Sequence, residues 1–79
     1  MKVIHAITAA RSLWSGLEFV EKDFKVEVLE PERHDFGVVT VHHGFLSYKS
    51  VPADMYGKDI TMFSVSEYGL LIHLKEETK

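Results

Sequence analysis

The chain has no cysteine, two prolines, five glycines and one tryptophan in 79 residues. Without cysteine, no disulfide or thiolate-bound metal can reinforce what must be a small core. Stability then has to come from close packing, oligomerisation or a partner. The same absence suits a reducing compartment. Long apolar runs are missing as well. The longest is Leu70-Leu71-Ile72, far short of the roughly 20 residues a membrane-crossing helix needs. The opening Met1-Lys2-Val3-Ile4-His5-Ala6-Ile7 is too short and too interrupted in its apolar stretch for a signal peptide. These absences lead us to expect a soluble, unprocessed, cytoplasmic protein forming one domain over residues 1–79.

Basic clusters are also lacking. The nine Lys and Arg stand singly along the chain against 12 Asp and Glu, for a formal charge of −3. Domains that wrap nucleic acid usually carry a basic excess or stripe, so the charge balance argues against direct nucleic-acid binding. Protonation of the five histidines would reverse the sign of the net charge, which makes that argument weaker in mildly acid conditions.

What is present is ordinary for a folded domain: 46% hydrophobic and 27% charged residues, too apolar for a disordered chain. Gly and Pro punctuate short strand-like runs. Lys2 to Thr8 is β-branched and apolar on both faces, the pattern of a covered strand. Ala10, Leu13, Trp14 and Leu17 recur at helical spacing, which predicts a short helix near 9–16 with Thr8 as its cap. Phe24-Lys25-Val26-Glu27-Val28 alternates as the second arm of a hairpin turning at Glu21-Lys22-Asp23. Pro31 cannot donate to a ladder, so that strand should end there and Glu30-Pro31-Glu32-Arg33-His34-Asp35 should be a polar loop. Phe36 to His42 reads as a strand, His43-Gly44 as a tight turn and Phe45 to Val51 as its partner. Residues 52–57 suggest a single helical turn. A final hairpin joins 60–65 to 70–74, with a charged tail after it. About six strands and one helix imply a mostly antiparallel β fold, a small curled sheet or barrel, with an α+β sheet as the alternative.

Few residues form a chemical pattern. His42-His43 invites a metal reading, but neighbours on a strand point to opposite faces, and no His-x-His pair exists. His5 and His73 sit in apolar segments, where a hydrogen-bonded imidazole is the simpler expectation. Glu32-Arg33-His34-Asp35 offers an acid, a base and a cation, but consecutive loop residues do not by themselves converge on a substrate. No nucleophile elbow and no Gly-rich phosphate loop occur; the glycines stand alone at 16, 37, 44, 57 and 69. No cofactor is expected. Phe45 and Tyr48, near Lys49, are three residues apart and cannot share one stacking platform on a strand.

What remains is a surface for proteins. Glu30, Glu32, Asp35, Asp54 and Asp59 supply acidic groups in two loops, and Tyr48, Met55 and Tyr56 are of the types enriched at interfaces. Trp14 and Tyr68 belong to the same class. The leading expectation is a non-enzymatic binding protein that inhibits or regulates a larger complex by occupying a basic surface, such as a nucleic-acid-binding groove. Phage and mobile elements encode many proteins of this class. A nucleic-acid-binding small barrel is one alternative. A small oligomeric enzyme, or a subunit of one, assembling His34, Asp35 and His42 across an interface is the other.

Overall fold

A computed structural model describes residues 1–15, 24–66 and 69–76. The elements run α1 (Val3–Ser15), β1 (Lys25–His34), β2 (Gly37–Phe45), two 3-10 turns (Tyr48–Ser50 and Ala53–Met55), β3 (Ile60–Ser66) and β4 (Gly69–Leu74). The strands form one mixed sheet in the order β2-β1-β4-β3. β2 is antiparallel to β1 and β3 to β4, while β1 and β4 run parallel. Among the described residues the fold is thus mostly β with one helix, as expected, but with four strands rather than about six, and the sheet is open and not a barrel.

The largest correction concerns residues 2–8, expected as a strand and found inside α1. Val3, Ala6, Ile7 and Ala10 are all buried. Their spacing is a helical stripe, which a run apolar at nearly every position conceals. The low helix propensity of the β-branched residues is overridden by the packing of that stripe onto the sheet. Thr8, expected as a cap, is mid-helix and donates its hydroxyl to the Ile4 carbonyl at 2.9 Å. The actual start is held differently. The Lys2 N–H donates to His5 Nδ1 at 3.0 Å, a reach back over three residues like that of a capping box. The Val3 and Ile4 N–H groups donate to the Lys58 and Tyr56 carbonyls at 3.0 and 3.1 Å, so the loop before β3 satisfies the helix's orphan donors. Leu13 is exposed. The expected hairpin turn at 21–23 and the start of its first arm lie outside the described residues.

α1 packs on the β3 and β4 side of the sheet. On that face, Val26 and Val28 of β1, Ile60 of β3 and Leu70, Ile72 and Leu74 of β4 share one buried cluster with Val3, Ala6, Ile7 and Ala10 of the helix, and Phe24, Val51 and Met55 complete the core. Ile72, Val3, Val26 and Val28 are its most deeply buried large side chains. The two-residue period of β1 and β4 puts Glu27, Leu29, Leu71 and His73 on the opposite, helix-free face.

β1 also runs through Pro31, which was expected to end it, and pairs with β2 as far as His34–Gly37. The hairpin turns on Asp35-Phe36, and Gly37 takes the positive φ of 136° that a side chain resists. A two-residue turn makes His34–Gly37 a hydrogen-bonded pair, so the even positions of β1 bond to β2 and the odd ones face away. Pro31 is odd. Its missing N–H therefore lies on the far edge of β1, and the β1–β2 ladder loses nothing. β4 pairs with β1 only from Lys25 to Leu29, so beyond Leu29 the β1–β2 pair continues alone as a two-stranded arm. This arm contributes to the elongated outline of 47 × 19 × 19 Å. His43-Gly44, expected as a turn, lies within β2, and the expected partner strand at 45–51 is instead the end of β2 followed by a 3-10 turn. The helical turn near 52–57 and the closing hairpin are found as expected.

Candidate functional site

The face of β1 that carries Val26 and Val28 continues into the arm as Glu30 and Glu32. The change from valine to glutamate falls where the core ends, because the arm overhangs the loop between the second 3-10 turn and β3 instead of a packed layer. The result is an open cleft of about 1410 Å³ lined by Glu30, Glu32, Asp54, Lys58, Asp59 and Glu76 among others, with Leu74 at its base. Four of the five acidic residues singled out in the sequence come together here from β1, the 3-10 turn and the start of β3. Asp35 does not; it sits at the arm's tip.

The cleft carries its own cations. Lys58 Nζ lies 3.4 Å from Glu30 Oε2, Arg33 Nη2 lies 2.7 Å from Glu76 Oε1, and Lys2 Nζ lies 2.8 Å from Asp59 Oδ1. The Lys2 ammonium holds the Asp59 carboxyl below the usual aspartate range, first by its hydrogen bond and then by its charge. Glu32 is paired only with His34, at 2.8 Å, and Asp54 has no ion pair among the described residues. Neither carboxylate is held by a Lys or Arg among the described residues. Sequence reasoning missed Lys58, Lys75 and Glu76 as cleft residues, since nothing local links them to Glu30.

The aromatic and apolar candidates are placed elsewhere. Met55 is buried in the core, and Tyr48 and Tyr56 are half-buried against it. Tyr48 stacks on Phe24 with ring centroids 4.7 Å apart, and the Arg11 guanidinium lies 5.1 Å from its ring. The part of Trp14 that would meet a partner, and all of Tyr68, fall outside the described residues.

The histidines separate as strand geometry requires. His42 Nδ1 meets Glu27 Oε1 at 2.9 Å on the helix-free face. His43 turns to the opposite face, where its Nε2 is buried, makes no hydrogen bond and stands 3.6 Å from Glu30 Oε1. His34 is at the tip of the arm, stacked on Phe36 with centroids 5.2 Å apart. His42 is five strand positions beyond Gly37, the partner of His34; this is roughly 16 Å along the strand, and on the other face. His34, Asp35 and His42 therefore do not converge within one chain. His5 is exposed at the start of α1, and His73 is half-buried on β4. No group of three or more His, Cys, Asp or Glu among the described residues is arranged to hold a metal ion. No helix among them is long and apolar enough to cross a membrane. No family model, curated protein or solved structure matches the chain.

Proposed function

We propose that this is a non-enzymatic binding protein that receives a basic segment of a larger protein in the cleft beneath the β1–β2 arm, and that it regulates or inhibits that protein by covering the segment. The observation behind this reading is the convergence of Glu30, Glu32, Asp54, Asp59 and Glu76 on one cleft, with Glu32 and Asp54 left without a Lys or Arg. A lysine or arginine side chain entering there would gain a charge-assisted hydrogen bond at either carboxylate. It would do so in a concave site, where complementary charge chiefly sets encounter rate and register. A nucleic-acid-binding groove on another protein is a natural source of such a segment.

The test is an amide-resolved NMR titration of the protein with a lysine- and arginine-rich peptide. The reading expects shifts centred on Glu32, Asp54, Gly57 and Lys75 that weaken as salt is raised, since the Debye length contracts to about 8 Å at 0.15 M. Glu32→Lys with Asp54→Lys should abolish them, whereas Asp35→Lys at the arm's tip should leave them in place. Shifts scattered over the whole surface, or unmoved by the double reversal, would show that the cleft is not the binding site.

A further inference from the structure

The sheet has two outer edges, β3 and β2, and they differ in their regularity. β3 has a bulge near its start, between Ile60 and Met62, and in the stretch of β1 left bare beyond β4 the first residue whose nitrogen faces that edge is Pro31. Bulges and prolines both discourage a further strand from adding to an edge. β2 has no such device. Over its nine residues, Gly-Val-Val-Thr-Val-His-His-Gly-Phe, it contains no Asp, Glu, Lys, Arg or Pro, and no strand among the described residues pairs with its outer side. The hydrogen-bond phase set by the Asp35-Phe36 turn directs the odd residues of β2 toward β1. The N–H and C=O groups of Val38, Thr40, His42 and Gly44 therefore face outward.

The arm presents a second difficulty. Between Glu30–Val41 and His34–Gly37 the ribbon has only two strands, and a two-stranded ribbon by itself is marginal in water. Among the described residues, the large apolar side chains left most exposed are Phe36 at 81% and Leu46 at 80%, and they flank β2 at its two ends. They lie at equal distances from Val41, the central residue of the strand.

From these observations we propose that β2 pairs antiparallel with β2 of a second copy of this chain, about a two-fold axis at Val41. In that register Thr40 faces His42 of the other copy, Val38 faces Gly44, and Val39 faces His43. The outward-facing residues form the hydrogen-bonded pairs, giving about eight new backbone bonds across the axis. Phe36 of each copy falls opposite Leu46 of the other, so the most exposed apolar side chains cover one another at both ends of the junction. Each arm then lies along the root of the other copy's sheet and gains the third strand it lacks. No like-charged Asp, Glu, Lys or Arg oppose one another across the seam, because β2 has none. Because the contact is isologous, with the same strand used by both copies about a two-fold axis, it closes at two copies.

Sedimentation equilibrium of the intact protein tests the assembly, and paired substitutions test the register. A concentration-dependent dimer is expected. Thr40→Pro removes only an outward N–H, and Thr40→Lys puts a charge on the edge; each should raise the dimer dissociation constant at least tenfold while the circular dichroism of the monomer stays unchanged. Phe36→Glu alone should weaken the dimer to a similar degree. Adding Leu46→Lys to it should restore most of the affinity, because residue 36 meets residue 46 of the other copy only in this register. A chain still monomeric at about 1 mM, where even a contact worth roughly 4 kcal/mol would be half-populated, would overturn the proposal. So would a dimer indifferent to both Thr40 substitutions, or a Phe36→Glu defect that Leu46→Lys leaves unrepaired.

Discussion

Gly69 begins β4 at φ 146°, a region open to almost no other residue, and a β-carbon there would collide with the backbone carbonyl of Lys25. Gly69→Ala therefore combines backbone strain with displacement of the strand that β4 must pair with. Holding an L-residue in such a conformation costs about 1–3 kcal/mol. The clash falls on main-chain atoms at the first β1–β4 pair, Lys25–Gly69, where no side chain can swing aside. The expected loss is thus about 3 kcal/mol, at the upper end. A chain of 79 residues has roughly 4–12 kcal/mol of total stability to lose. With a urea slope near 1 kcal/mol/M for so small a domain, the midpoint should fall by about 3 M, and the melting temperature by about 12–24 °C. Gly44→Ala is the control, because a β-carbon at Gly44 would meet nothing within 4 Å; it should be neutral or stabilise slightly. Both variants are to be unfolded at a protein concentration low enough for each to be monomeric, since Gly44 lies in the proposed seam between copies. A Gly69→Ala midpoint within experimental error of Gly44→Ala would refute the reasoning about both φ and Lys25.

Three further expectations follow from other parts of the fold. Ile72, at 0% exposure in the middle of the sheet, should lose about 3–4 kcal/mol on truncation to alanine; a loss under about 1 kcal/mol in equilibrium unfolding would mean the core is looser than its packing indicates. His5→Ala should cost about 1 kcal/mol by freeing the Lys2 N–H that His5 Nδ1 now accepts, with the loss visible in thermal melts and amide exchange fastest in the first turn of α1. For Asp59, whose pKa is depressed by Lys2, stabilisation by the pair is present above the unfolded aspartate value and is lost as pH falls through the lower folded one, in a window below about pH 4. Titration of the Asp59 carboxyl carbon should show its midpoint rising in Lys2→Met, and an unmoved midpoint would exclude Lys2 as the cause.

The parts of the fold legible in the sequence are those where one face is wet and the other dry. The closing hairpin was read within a residue or two because Leu70, Ile72 and Leu74 alternate against half-exposed neighbours, and the turn at 53–55 because Pro52 and Gly57 bracket it. Residues 2–8 misled for the opposite reason: with apolar side chains nearly everywhere, periods of two and of 3.6 fit equally well. The arm was hidden because neither face of residues 30–34 is covered. Without a dry side, a strand shows no alternation and looks like a polar loop. A proline whose nitrogen faces an open edge is compatible with a strand, and that edge is a tertiary fact. The acidic residues could be picked out by type, but their meeting in a cleft depends on β1 overhanging the 54–59 loop, which no local pattern encodes. Four of the five carboxylates named from the sequence do share that cleft, and their cationic neighbours Lys58 and Lys75 carry no local signal that would place them there.

The parallel pairing of β1 with β4 also bears on how the chain finds its fold. The two hairpins, β1–β2 and β3–β4, each close over a short turn and can form quickly. The contact that joins them links Lys25 to Gly69, about 44 residues apart, and the entropy of closing that loop must be met before Val28 and Ile72 can bury one another. We expect the docking of the two hairpins onto one another to be the slow step. Substitutions at Val28 or Ile72 should slow folding, whereas those at the arm's tip, far from the joint, should only hasten unfolding. Until docking occurs, the arm and the uncharged outer strand beside it belong to a free hairpin, the species in which unwanted strand pairing has its best opportunity.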